Sequence, residues 1–201
     1  MTLLEAVNLC LRSTGETGVT SITTGHPKFV TILAEIDTAS KAEQKRDWWF
    51  NTIDKLTLTP QTSGPNIGKV DVSAYDLVVP WLRSLDYFPQ GGFMVDRTDG
   101  SFVGQAFDAK VRTLYATDDA TWAAKLPAVF TDYVAHVAAL TYASNYDADP
   151  LQLRKLEAGL TRSRGLLNAD HTRYSRVNLF TSGSTGAAIN KAWGYRYGRY
   201  R

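Results

Sequence analysis

Two stretches of helical period enclose a stretch that cannot be helical, and this order limits the fold more than any other feature of the chain. From Phe50 to Tyr115, short runs of branched and aromatic residues are broken by Pro60, Gly64-Pro65, Gly68, Pro80, Pro89, Gly91-Gly92, Gly100 and Gly104. Proline removes a backbone donor and glycine favours turns, so the runs between them read as strands. The candidates are Thr52–Thr59, Lys69–Val72, Leu82–Tyr87, Phe93–Asp96, Ser101–Phe107 and Lys110–Tyr115. Asp96-Arg97-Thr98-Asp99-Gly100 reads as a hairpin turn, because Asp-Gly tolerates positive φ. The expectation is one small antiparallel sheet of five or six strands, inserted at about 50–116.

Helical signals stand on either side. Thr2 and Glu5 have the spacing of a capping box, and Leu4, Val7 and Leu11 follow at helical intervals, giving a first helix at about 2–14. Pro27 suits the first turn of a second helix at about 27–47, whose apolar positions are Phe29, Ile32, Leu33 and Ile36. Leu126, Phe130, Tyr133, Val134, Val137 and Leu140 line a third at about 126–146. Asp149-Pro150 pairs an N-cap carboxylate with proline at the first helical position. It opens a fourth helix at about 149–170, with Leu153, Leu156, Leu160 and Leu167 on one face and Arg154, Lys155, Arg162 and Arg164 outside it. The fold class expected is α+β: a bundle of four main helices in a body spanning 1–170, a β insertion projecting from one end, and an extended C-terminal tail at 171–201.

At 201 residues, 44% hydrophobic and 21% charged, the chain suits a soluble globular protein. No run approaches the ~20 apolar residues of a membrane-spanning helix, so no membrane partner is expected. The N-terminus lacks the basic region of a signal peptide, and Cys10 is a lone cysteine in a predicted helix, where a buried apolar role fits. Synthesis in a reducing cytoplasm is expected.

Chemistry-bearing patterns give little. His26, His136 and His171 are scattered. His136 follows Asp132 by four residues, close enough for contact on a helix, but no third ligand or nucleophile stands at useful spacing. Asp118-Asp119 and the pair Asp147 and Asp149 precede helices, where carboxylates favour the positive end of the dipole. Gly183-Ser184-Thr185-Gly186 lacks the adjacent lysine and preceding strand of a phosphate loop, and reads as a hinge. Trp48-Trp49-Phe50, at a helix-to-strand junction, reads as core. The expectation is no enzyme, no cofactor and no metal.

The C-terminus is different. Residues 171–201 hold six basic side chains and no aspartate or glutamate, leaving 16 basic and 20 acidic residues in positions 1–170. An acidic body at −4 therefore carries a tail at +6. Lys191, Trp193, Tyr195, Arg196, Tyr197, Arg199, Tyr200 and Arg201 alternate cations with aromatics. Too little aliphatic surface is present for a core, so this segment is expected to order against a partner. Arginine with aromatics suits single-stranded nucleic acid, by phosphate contact and stacking. The same residues dominate protein–protein hot spots.

Several local patterns, in order, carry a resemblance. Ala6-Val7-Asn8 and Ser13-x-Gly15-Glu16-x-x-Val19 open the chain; Arg46-Asp47-Trp48-Trp49-Phe50-Asn51 runs on to Leu56-x-Leu58-x-Pro60; Val95-Asp96-Arg97-Thr98 marks the hairpin; Leu126-Pro127-x-x-Phe130-x-x-Tyr133 opens the third helix. Over nearly all of 1–170 the chain resembles the tail tubular protein A family of short-tailed bacteriophages. The resemblance implies a structural virion protein, a head-to-tail adaptor of which about twelve copies form a closed ring. It implies a portal protein on one face, a nozzle resembling tail tubular protein B on the other, and double-stranded DNA passing through without sequence-specific binding. Helices one to four then supply subunit contacts, the β region faces the nozzle, and the eight tail residues from Lys191 to Arg201 grip the portal. Thirty-one residues span about 100 Å extended and about 30 Å as a coil, and an acidic body suits a channel that DNA must not stick to. The alternative is a small nucleic-acid-binding protein using the same basic, aromatic arm.

Overall fold

The computed structural model describes residues 1–22, 27–82, 84–146 and 148–174. The helices are α1 (Leu3–Ser13), α2 (Phe29–Gln44), α3 (Asp119–Lys125), α4 (Ala128–Asn145) and α5 (Pro150–Tyr174). The strands are β1 (Thr52–Leu58), β2 (Leu77–Pro80), β3 (Tyr87–Gln90), β4 (Phe93–Asp96) and β5 (Phe107–Arg112). This is the expected α+β class, with the four anticipated helices in place and α3 added.

Local chemistry sets the helix starts. The Thr2 hydroxyl accepts from the Glu5 N–H at 3.2 Å and the Glu5 carboxylate accepts from the Thr2 N–H at 2.7 Å, completing the capping box. Asp118 caps α3 by accepting from the Thr121 N–H at 2.8 Å. Asp149 does the same for α5, accepting from the Leu151 N–H at 3.0 Å ahead of Pro150. Helix α2 begins two residues after Pro27, and the N-cap position, Lys28, makes no side-chain cap.

Helix α4 is the centre of the helical layer. Phe130, Tyr133, Val134, Ala135, Ala138, Ala139, Tyr142 and Ala143 are all buried, so it is covered on more than one side. The alanines were absent from the expected stripe, since small residues weigh little in a periodicity reading. Helix α1 meets it through Leu3, Ala6, Val7, Cys10 and Leu11. Leu3 takes the buried place expected of Leu4, which is only half-buried. Helix α2 adds Phe29, Ile32 and Ile36. Helix α5 buries only Leu156, Ser163 and Leu167, with Leu153 and Leu160 partly covered.

The single sheet expected for the middle is two antiparallel sheets. One has the order β1-β5-β2, with Thr52 opposite Arg112, Leu58 opposite Phe107 and Val78 opposite Val111. The other is the β3-β4 hairpin. Two strand candidates shift: Leu82–Tyr87 gives way to Leu77–Pro80 and Tyr87–Gln90, and Lys110–Tyr115 to Phe107–Arg112. Lys69–Val72 and Ser101–Phe107 shrink to single bridges, Asp71 with Phe93 and Phe102 with Val95. Their backbone is still paired singly across the β unit: the Val70 N–H donates to the Val103 carbonyl at 3.2 Å and the Val103 N–H to the Met94 carbonyl at 2.9 Å. The expected turn at Asp96–Gly100 forms, with Gly100 at φ 73° and Asp96 accepting from the Thr98 N–H. Leu58, Val70, Val72, Val78, Met94, Val103, Phe107, Ala109 and Val111 form a separate β core.

A polar hub joins the two cores. Buried Gln44, the last residue of α2, accepts from the Tyr115 N–H at 2.7 Å and donates to the Tyr115 carbonyl at 3.0 Å and to Ser40 at 2.9 Å. Asn51 donates to the Gln44 carbonyl at 2.6 Å, and its carbonyl accepts from the Thr113 N–H at 2.9 Å. Arg112 then binds Asp76 at 2.7 Å, Asp47 at 3.4 Å and the Lys45 carbonyl, while Lys110 binds Asp47 at 2.6 Å. The hub fixes the sheet to one end of the bundle.

Candidate assembly surfaces

Helices α4 and α5 form a hairpin, so α5 ends beside the start of α4, at the sheet end of the bundle. There Trp48 and Trp49 meet the last turn of α5, and Phe50 meets α4. His171 stands edge-on to Trp48 at 5.2 Å, Tyr174 stacks on Trp49 at 5.6 Å and 24°, and Phe50 lies 4.8 Å from Phe130. The core reading holds for Trp48, which is buried and donates from Nε1 to the Glu43 carbonyl at 2.8 Å. Trp49 and Phe50 are only partly covered, and Trp49 with Trp48 holds the end of the helix that leads into the C-terminal segment. His171 Nδ1 is buried there without a hydrogen-bond partner among the described residues. The helix expected to stop at 170 thus continues through Tyr174, carrying His171 and Arg173 with it. Lys191, Trp193, Tyr195, Arg196, Tyr197, Arg199, Tyr200 and Arg201 lie outside the described residues, as do the glycine-rich 183–186 segment and His26.

On the β unit an apolar patch faces water. Val79, Trp81 and Leu82 are 46%, 52% and 59% exposed. Val79 is paired with Lys110, and the Trp81 N–H donates to the Asp108 carbonyl at 2.8 Å. Residues i and i+2 of a strand share a face, so Val79 and Trp81 stand on the outer side of the sheet, beside the charges of β5. The sequence reading missed this patch; the signal available was the Val79-x-Trp81 alternation around Pro80.

Elsewhere most buried polar groups are paired within the fold, the Thr117 and Tyr142 hydroxyls being exceptions among the described residues. His136 donates from Nδ1 to the Asp132 carbonyl at 2.8 Å, with the carboxylate farther off at 3.8 Å, so the expected contact exists but runs mainly through backbone. A shallow cleft of about 260 Å³ is lined by Tyr87, Asp96, Phe102 and Gln105 among others. Its Gln105 amide donates to the Tyr87 hydroxyl at 2.7 Å. No group of three potential metal ligands occurs among the described residues, and no described helix is long and apolar enough to cross a membrane. Burial pushes the Cys10 thiol up to about 12, as suits a packed side chain.

An α+β subunit whose distinctive features lie on its outer surfaces, with most buried polar groups paired, is the kind of chain that builds larger structures. The profile of the tail tubular protein family matches residues 4–177, and the chain belongs to that family. It is a bacteriophage tail structural protein and a component of the virion tail. No curated protein matches the chain. The sequence patterns that carried the resemblance fall on the joints just described. Asp47, Trp48 and Asn51 belong to the hub and helical core, and Asp96-Arg97-Thr98 to the turn that follows β4.

Proposed function

We propose that this chain is one subunit of a closed ring of about twelve copies that joins the phage portal to the tail nozzle, with the genome leaving through its centre. Its role is structural, not catalytic. The observation that carries the reading is the root of the C-terminal segment. Helix α5, clasped by Trp49 and Trp48, delivers the chain from a fixed point, and the 27 residues that follow contain five cations, one tryptophan, three tyrosines and no acid. Fully extended they reach about 90 Å. That exceeds the roughly 37 Å length of α5, so the segment can reach a neighbouring ring on either side of its own.

Lys191, Trp193, Tyr195, Arg196, Tyr197, Arg199, Tyr200 and Arg201 grip the portal in this scheme. Twelvefold repetition turns modest contacts into a lasting joint, because each docked segment raises the effective concentration of the next. The Val79, Trp81 and Leu82 patch supplies the nozzle contact, an exposed tryptophan being a common anchor at such interfaces. Removing the residues after Phe180 is expected to abolish binding to purified portal and leave the melting of the body unchanged. A truncated chain that docks normally and loses only DNA affinity would mean that the segment is a nucleic-acid arm. Salt separates the two as well, since phosphate contacts weaken steeply with salt.

A further inference from the structure

We propose that the solvent side of α5 is a contact surface for a second copy of this chain, seated against the acidic flank formed by α1 and α3 of that copy. The assignment rests on the ring reading above and names the surfaces that close the ring. Leu151, Lys155, Arg162, Leu166 and Arg173 follow one another at intervals of four and seven residues, which places them on one face of α5, away from Leu156, Ser163 and Leu167. Leu151 and Leu166 are 57% and 49% exposed. Gly165, beside Leu166, has open space where a Cβ would stand, so the face admits close approach. Lys155 and Arg162 are in no ion pair among the described residues.

Charge selects the occupant. Residues 150–174 carry five basic and two acidic side chains, whereas residues 1–149 carry 12 basic and 18 acidic. A helix at +3 thus projects from a remainder at −6, and a second copy offers the complement. In the helical layer that complement is Glu5, Asp118 and Asp119, all exposed and none in an ion pair among the described residues. They are brought together because Trp122 Nε1 of α3 donates to the Met1 carbonyl at 3.0 Å, setting α3 against the start of α1. Hydrogen bonds from Thr2 and from Thr121 lower the carboxyls of Glu5 and Asp118, so both stay ionised near neutral pH. Helix α3 packs on α1, whereas α5 packs mainly on α4. The two surfaces are therefore distinct, as a head-to-tail contact requires. DNA is the less suitable occupant, because two half-exposed leucines lie within the cationic face and suit a protein partner.

The test uses full-length chains mixed with portal, with assembly followed by sedimentation. Lys155→Glu with Arg162→Glu, and separately Asp118→Lys with Asp119→Lys, should each raise the protein concentration needed for ring assembly by about tenfold or more. An equal mixture of the two variants should assemble again, because each copy's α5 then meets a flank of opposite sign; misfolded variants would not recover. Assembly of either variant at wild-type concentration would overturn the assignment, as would failure of the mixture. Normal assembly with lost DNA affinity would make the face a DNA surface and the proposal wrong. A wild-type chain that forms no ring even with portal would instead defeat the ring reading, and this assignment with it.

Discussion

Gly159 of α5 lies against His136 of α4, and a Cβ there would lie 2.5 Å from Cδ2 and Nε2 of that ring. The ring is tied by Nδ1 to the Asp132 carbonyl, so it cannot swing aside without losing that bond. Gly159→Ala should therefore destabilise the chain: overpacking of about 1–3 kcal/mol outweighs the gain in helix propensity of about 1 kcal/mol. In a His136→Ala background the sign should reverse, and urea unfolding of the four chains checks both. Cys10 supplies a pH prediction. Its thiol is raised from 9.0 to about 12 by burial, so between those values the unfolded chain releases a proton that the folded chain keeps. Stability from this group then falls as pH rises, by up to about 1.4 kcal/mol per pH unit. Cys10→Ala should flatten that decline in denaturation curves taken above pH 9.0; parallel curves would contradict the burial account.

At the scale of elements, the hub at the end of α2 decides whether helices and sheet move as one piece. Gln44→Ala strips partners from both the N–H and the carbonyl of Tyr115 and should cost about 2–3 kcal/mol. Hydrogen exchange at Tyr115 should quicken, and unchanged exchange would show that the hub is not what joins the layers. This joint was only half legible in sequence. The helices could be read because α1, α2, α4 and α5 repeat their apolar residues at helical intervals and announce their starts with Thr2, Pro27 and Asp149-Pro150. Gln44 stands in a polar run, Lys41 to Arg46, that carries no sign of burial, because its partner Tyr115 lies 71 residues away and no local pattern reports such a contact. Strands β1 and β4 were legible as Thr52–Thr59 and Phe93–Asp96, whereas β2 and β3 were not, for a related reason. β2 and β3 are four residues each, too short for alternation to show, and β2 is defined by its pairing with β5. Helix α3 escaped because seven residues hold little periodicity, although the capping role of Asp118 was visible.

On the scale of the whole molecule, charge and exposed apolar surface divide the chain into parts with different work. An acidic body folds around α4; α5 presents a basic face with two exposed leucines; the β unit presents Trp81; a basic, aromatic segment departs from the Trp49–Tyr174 stack. Family membership, with its place in the virion tail, follows from the match over residues 4–177. The proposed ring assigns each surface a neighbour: α5 a second copy, the sheet the nozzle, the C-terminal segment the portal. Imaging the purified chain together with its portal by electron microscopy, alongside its mass in solution alone, tests this most directly. The account predicts a closed ring of about twelve subunits seated on the portal. A chain that remains monomeric both alone and with portal would contradict it.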